Sequence, residues 1–176
     1  MKKLLLIDAY AMIYRAYYAF IKVPRMNSKG ENTSAIYGFV ITLEDLIKRV
    51  KPTHIAVAFD PHGPTFRHEA YEQYKAQREE TPEDIRKAVP IIKDLLAAMN
   101  ISILEVQGYE ADDVIGTLAG KAEQAGFEVF MATPDKDYGQ LVTDNVHLAL
   151  LALLYTNLGI QMRYENRMTS FLEYIR

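Results

Sequence analysis

Cysteine is absent from the 176 residues of this chain. That absence excludes zinc-thiolate sites, iron-sulfur clusters and thiol catalysis, and it suits a reducing compartment such as the cytoplasm. Long apolar runs are lacking as well: no stretch approaches the ~20 consecutive apolar residues that a membrane span requires. The opening run, Leu4 to Ile7, stops at Asp8 and is too short for the core of a signal peptide. A cytoplasmic protein without membrane contact is the expectation. The sequence contains no internal repeat and no low-complexity linker. With 49% apolar residues, nine Gly and seven Pro, it is too rich in core residues to be disordered. A folded chain of this length buries about 70% of its extended surface, so it needs neither disulfides nor a structural metal for stability.

The formal charge of -3 hides an uneven distribution. Residues 1 to 80 hold 12 basic and 9 acidic side chains, residues 81 to 145 hold 5 and 12, and the last 31 hold 3 and 2. The first half can therefore meet an anion, while the middle collects carboxylates. Four short apolar runs read as strands: Leu4 to Ile7, His54 to Phe59, Ile101 to Val106 and Phe127 to Met131. Helical patterns lie between them, over Thr33 to Val50, over Pro82 to Met99 with Thr81 as N-cap and Pro82 at the first position, and over Glu110 to Ala125. Strands alternating with helices predict an α/β protein in three layers, a mainly parallel central sheet with helices on both faces. The segment Tyr10, Tyr14, Tyr17, Tyr18 and Phe20 is expected to be mostly core, with Arg15 as a contact. From Val146 onward the pattern changes. His147 to Leu154 is apolar around the whole helical circumference, and it reads as a fifth strand running into a buried helix or as an exposed apolar tail.

In an open parallel sheet, ligands bind beyond the carboxyl ends of the strands. Asp8 follows the first strand, Asp60 the second, and Asp135 and Asp137 the fourth after Ala132-Thr133-Pro134. The third leads through Gln107-Gly108-Tyr109 into Glu110-Ala111-Asp112-Asp113. Each acidic residue alone has an ordinary explanation in turn formation or in the dipole of a helix's first turn. Together, seven carboxyl groups at one edge repel strongly unless protonated or bound to cations, and no Lys or Arg run lies beside them in sequence. Something positive should sit there. Oxygen ligands without His or Cys suit a hard cation such as Mg²⁺ or Mn²⁺, and this many can hold two ions ~3.5 to 4 Å apart for in-line attack on a phosphodiester. Glu110 and Asp113, three apart, are expected to share a helix face, with Asp112 pointing elsewhere.

The segment after the second strand, Gly63 to Arg78, interleaves cations with aromatic rings. If it is helical, Arg67, Tyr71, Tyr74, Lys75 and Arg78 fall on one stripe, with Glu69, Glu72 and Glu79 outside it. Such a stripe suits single-stranded nucleic acid, with phosphates on Lys75 and Arg78 and bases against Tyr71 or Tyr74. A solvated amphipathic helix with Tyr packed on the core produces the same pattern. Its departure point beside the carboxylate at Asp60 favours the nucleic-acid reading. Lys29, in the polar turn Asn27 to Ser34, lies before a helix N-terminus that can hold a phosphate, although loop solvation is the better explanation.

The strings Gly63-Pro64-Thr65-Phe66-Arg67-His68-Glu69, Tyr74-Lys75-Ala76, Gly108-Tyr109-Glu110-Ala111-Asp112-Asp113-Val114-Ile115-Gly116-Thr117-Leu118 and Asp135-Lys136-Asp137 resemble the 5′ nuclease domain at the N-terminus of bacterial DNA polymerase I. The resemblance runs from Lys3 to about His147. It implies a PIN-like 5′ nuclease fold and a 5′-3′ exonuclease and flap endonuclease that cuts structured DNA with one or two divalent metal ions, as in removal of RNA primers. It implies that Asp8, Asp60, Glu110, Asp112, Asp113, Asp135 and Asp137 ligate metal directly or through water. Lys75 and Arg78 match basic residues of the family's helical arch that steer and polarise the scissile phosphate. Expected DNA contacts are Arg15, Lys29, Phe66, Arg67, Tyr71, Tyr74, Lys75 and Arg78, and the expected partner is DNA with a 5′ flap or 5′ single-stranded end.

Two departures from the family pattern stand out. Thr133-Pro134 precedes Asp135 where many relatives have Gly. Residues 148-176 do not resemble the helix-hairpin-helix element that follows in the family, and no Asp occurs after Asp144. The expectation is a nuclease domain over 1-147, truncated before that element, then an atypical apolar tail and no polymerase domain. Other readings remain: a catalytically deficient fragment that binds metal and DNA, or a PIN-type ribonuclease. A haloacid-dehalogenase-like phosphatase would want Asp at position 10, where this chain has Tyr10, and a phospho-acceptor receiver gives no reason for the stripe.

Overall fold

A computed structural model describes residues 1–67, 71 and 80–149. Five strands form one sheet: β1 (Lys2–Asp8), β2 (His54–Ala58), β3 (Ser102–Leu104), β4 (Phe127–Ala132) and β5 (Val146–Leu148). Four α-helices are seen among the described residues: α1 (Ala9–Ala19), α2 (Ser34–Val50), α3 (Glu83–Ala98) and α4 (Ala111–Gln124). A 3-10 helix, Lys136–Leu141, lies between β4 and β5. The strand order is β3-β2-β1-β4-β5, and every pair is parallel.

β1 lies at the centre because it is apolar on both faces. Leu6 pairs with Ala56 of β2 on one side and Met131 of β4 on the other. Side chains alternate across a strand, so Leu5 and Ile7 face one layer and Leu6 the other. The first layer packs α1, α2 and α3 through Met12, Ile13, Phe39, Leu43, Ile85 and Ile92. The second packs α4 through Ala111, Ile115 and Ala119. In α2 the buried positions Ala35, Phe39, Leu43, Leu46 and Val50 recur every three or four residues, the period that makes one helix face apolar. That helix ends at Lys51 in a left-handed conformation (φ 50°), its N–H donating to Ile47 O before Pro52 stops the chain.

The structure differs from expectation in local ways. The aromatic segment after Asp8 is a full helix, α1, whose period of buried residues was masked by Tyr on neighbouring faces. Pro82 is the cap of α3 and not its first residue: its ψ is 141°, and its carbonyl accepts from Arg86 N–H. Thr81 instead accepts from the Tyr14 hydroxyl at 3.0 Å, tying α3 to α1. The start of a fifth strand at Val146 is present as β5, and Ala149 N–H extends its pairing to Met131 O. The expected apolar tail falls outside the described residues from residue 150 onward, as do Tyr74, Lys75 and Arg78. No helix among the described residues is long and apolar enough to cross a membrane.

The α1–α2 contact supplies a stability test. A Cβ added at Gly38 would lie 2.7 Å from Ala16 Cβ and 3.2 Å from its Cα, inside normal contact. The expected helix-propensity gain of about 1 kcal/mol is outweighed by overpacking of about 1–3 kcal/mol. Gly38→Ala should therefore shift the urea midpoint downward, with a net loss of stability of up to about 2 kcal/mol. A midpoint at or above wild type would refute the tight contact.

Candidate metal centre at the strand ends

The strand order reverses between β1 and β4, and in such sheets the crevice at the reversal is where ligands bind. β1, the α4 N-terminus and the segment after β4 bring acidic side chains to this edge. Asp8 ends β1 and caps α1, its Oδ1 accepting from Ala11 N–H at 3.0 Å. Its Oδ2 faces the Tyr138 hydroxyl at 3.4 Å. Asp60, after β2, accepts from Ala111 N–H at 2.7 Å and so ties the end of β2 to the start of α4. Asp135 caps the 3-10 helix by accepting from Asp137 N–H at 2.9 Å. Each of these carboxylates satisfies a backbone N–H that would otherwise be orphaned at a helix start.

A cleft of about 300 Å³ opens here, lined by Arg67, Asp112, Asp113, Asp135, Asp137 and Tyr138 together with Gly116, Gln140 and Leu141. Asp112 lines it beside Asp113, contrary to the expectation that it points elsewhere. Glu110, the N-cap of α4, and Asp113 close a capping box, so these two do meet as expected. Within the helix, residues 112, 113 and 116 share one face. Glu110 is only 5% exposed and lies beneath, at the cap.

The expectation is a metal cation beside the carboxylates; among the described residues a side-chain cation, Arg67, drawn from the stripe assigned to DNA, lies there. Its Nη1 and Nη2 donate to Asp113 Oδ2 and Oδ1 at 2.6 and 2.7 Å. The same Nη1 lies 3.5 Å from Glu110 and 3.8 Å from Asp112. Sequence distance concealed this pairing, which the fold makes by fastening Phe66 N–H to Gly108 O at 2.9 Å. The Asp113 hydrogen bonds hold the guanidinium protonated above its ordinary range.

Crowding and burial raise three acidic groups of the cluster. Burial, with the charges of Asp60 and Asp112, pushes the Asp8 carboxyl up to about 6, against the lowering effect of the Ala11 amide and the Tyr138 hydroxyl. Burial and the neighbouring Asp113 raise Asp112, while Arg67 pulls it back. Tyr138, 3% exposed, is raised above its ordinary value by burial and by Asp8. Tyr138 was missed in sequence; the only signal was an aromatic residue directly after the Asp135-Lys136-Asp137 string. Tyr109 was missed too. Its half-exposed ring lies 5.6 Å from that of Phe66, over which the Arg67 guanidinium sits at 4.7 Å.

The donor set suits a hard divalent cation, being carboxylate oxygen throughout. Among the described residues, however, no three acidic or His side chains are already arranged to hold an ion. Lys29 occupies the exposed turn stapled by Asn27, whose Oδ1 accepts from Lys29 and Glu31 N–H groups at 2.9 Å. Arg15 is half-buried on α1, and Tyr71 is exposed. None of these three lines the cleft.

Comparison with known proteins decides the family. The model of the 5′-3′ exonuclease, N-terminal resolvase-like domain matches residues 3–169. The chain belongs to that family. It is 45% identical over 146 residues to DNA polymerase I of Bacillus caldotenax, covering 82% of this chain and 16% of that protein. It is 44% identical over 146 residues to a 5′-3′ exonuclease of Aquifex aeolicus, covering 83% of this chain and 50% of the relative. The chain thus spans half or less of the length of these curated relatives. Among solved structures, it resembles the 5′-exonuclease of bacteriophage T5 with bound zinc at a TM-score of 0.60 and 22% identity, over 85% of this chain and 55% of that one. A T5 flap endonuclease in complex with DNA and metal ions gives 0.60 and 21% identity over the same shares. These likenesses establish the PIN-like 5′ nuclease fold for the exonuclease-family chain described here.

The raised carboxyl of Asp8 generates a pH prediction for the family member without metal. A carboxyl whose folded value lies near 6, above the ordinary 3.8, favours folding when protonated and opposes it when ionised. The penalty is absent below about 3.8, grows through the interval and is complete above about 6. Asp8→Asn, which keeps an oxygen for the Ala11 cap, should stabilise the metal-free protein by about 1–2 kcal/mol near neutral pH. The gain should shrink toward pH 4, as chemical denaturation at a series of pH values will record. A gain that is constant with pH would show that the charge of Asp8 is not its source.

Proposed function

We propose that this chain contributes the metal-binding and DNA-binding part of a cytoplasmic, divalent-metal-dependent 5′-3′ exonuclease and flap endonuclease that hydrolyses phosphodiester bonds during replication and repair. The observation that carries the reading is the gathering of Asp112, Asp113, Asp135 and Asp137 with Arg67 around one cleft at the reversal of strand order, where Tyr138, which also lines it, meets Asp8. Asp8, Asp60, Glu110, Asp112, Asp113, Asp135 and Asp137 are the proposed ligands for one or two ions of Mg²⁺ or Mn²⁺. Such ions, when bound, polarise a phosphoryl oxygen and acidify water, chemistry that carboxylates cannot supply alone.

The chain's own residues do the rest. Asp60, Asp8 and Asp135 hold the α4, α1 and 3-10 helix starts against the edge and so preset the spacing of the cluster. Phe66 and Tyr109 offer exposed rings on which an unpaired base can stack, worth about 1–3 kcal/mol per base. Arg15, Lys29, Arg67, Tyr71 and Tyr74 are proposed contacts along the same strand of DNA, or of an RNA primer. Lys75 and Arg78 are proposed to offset charge developing on the scissile phosphate. A second reading, a fragment that binds metal and DNA without turnover, draws support from Arg67, which lies within reach of three of the proposed ligands.

A labelled 5′-flap DNA incubated with the chain and Mn²⁺ or Mg²⁺ separates these readings. The nuclease reading expects cleavage that Asp113→Ala and Lys75→Ala each reduce by about 100-fold or more. Flap binding that weakens with salt but yields no product, in folded protein, would leave the binding fragment and remove the enzyme.

A further inference from the structure

The arrangement of Arg67 bears on how metal enters the cleft, and the argument rests on the metal-ligand reading above. Asp113 Oδ2 accepts from Arg67 Nη1 at 2.6 Å and from Glu110 N–H at 3.1 Å, and Oδ1 accepts from Arg67 Nη2 at 2.7 Å. A carboxylate oxygen has two lone pairs in its plane, so Oδ2 is fully used. A cation approaching that oxygen must replace a hydrogen bond. The Glu110 N–H is fixed at the start of α4, whereas the guanidinium is carried on a long side chain that is 29% exposed. Two positive charges on one carboxylate also repel each other within a partly desolvated cleft. The guanidinium is therefore the group that yields. It is not stranded when it does, because it already stacks 4.7 Å above the Phe66 ring at the exposed side of the site. There its five donors would find an anion as the next partner.

We propose that Arg67 is an exchangeable counter-ion of the acidic cleft: it neutralises Asp113 when no divalent cation is present, and a divalent cation displaces it. The ion pair and a cation bound at Asp113 Oδ2 are then mutually exclusive, and Arg67 sets the metal affinity downward in the absence of substrate. A merely structural Arg67, which orders the ligands, would set it upward. Lysine separates displacement from simple charge repulsion, since it keeps the positive charge and loses the two-pronged geometry.

The test is Mn²⁺ binding, without DNA, by the full chain and its Arg67→Gln and Arg67→Lys variants, read by calorimetry and by the paramagnetic resonance of the free ion. Displacement expects Arg67→Gln to bind Mn²⁺ about 3- to 10-fold more tightly than wild type, with Arg67→Lys closer to Arg67→Gln than to wild type. Unchanged or weaker binding by both variants, with wild type still binding, overturns the proposal and leaves the metal site standing. Arg67→Lys equal to wild type while Arg67→Gln binds more tightly also overturns it, in favour of charge alone. Wild type that takes up no Mn²⁺ removes the metal reading and this proposal with it. Thermal melting keeps the test readable if a variant is unstable. The proposal expects the variants to melt below wild type without metal and to regain its melting temperature in saturating Mn²⁺. Failure to regain it identifies a structural role and overturns exchange.

Discussion

The crowding of carboxylates at one edge of the sheet is the constraint on which the site depends. A parallel sheet sends every carboxyl end of its strands to the same edge, and the exits of β1, β2, β3 and β4 each lead to at least one acidic residue. Four elements therefore deliver like charges into a small region, where burial raises the cost of keeping them ionised. Asp8 and Asp112 register that cost directly in their raised carboxyl values, and Tyr138 registers it in a phenol that resists ionisation. The fold tolerates the crowding because the same oxygens accept backbone N–H groups of Ala11, Ala111, Glu110 and Asp137. Residues proposed to bind metal thus also begin helices, where a carboxylate is favoured by the free amides and the dipole.

Arg67 completes this balance from the far side of the sequence. The exit from β2 is fastened by Phe59 N–H to Leu104 O and by Phe66 N–H to Gly108 O, so the β2 and β3 exits travel together. That pairing brings a cation to Glu110, Asp112 and Asp113, and sets Phe66 against Tyr109. A cleft with acid on its floor and an aromatic, cationic side has the chemistry of a place where a nucleic-acid backbone approaches metal. Neither half would be informative alone, since acidic turns and amphipathic stripes are both common.

Much of the architecture was legible in the linear pattern, for definite reasons. The run through Leu5, Leu6 and Ile7 has no polar alternation, which only a strand covered on both faces permits, and it became the central strand. The period of Ala35, Phe39, Leu43 and Leu46 identified α2 and its buried face. Asp residues directly after strands were legible as a candidate site because parallel topology makes strand ends converge. The α1 helix was less legible, since its Tyr residues are half-buried and blur the boundary between faces. The meeting of Glu110 with Asp113 was legible in their spacing, whereas the cleft that takes in Asp112 as well depends on the segment after β4.

By itself, the sequence determined the class of the fold, the order of its elements and the set of acidic residues at the strand exits, because periodicity and punctuation are local properties of the chain. Tertiary structure alone decided which of those residues meet. The pairing of Arg67 with Asp113 across 46 positions, the Tyr138 hydroxyl on Asp8 across 130, and the reversal of strand order that opens the cleft are contacts between distant segments. No local pattern encodes them. They follow from how the sheet is assembled, where strand neighbours, and not sequence neighbours, set the distances over which charges act.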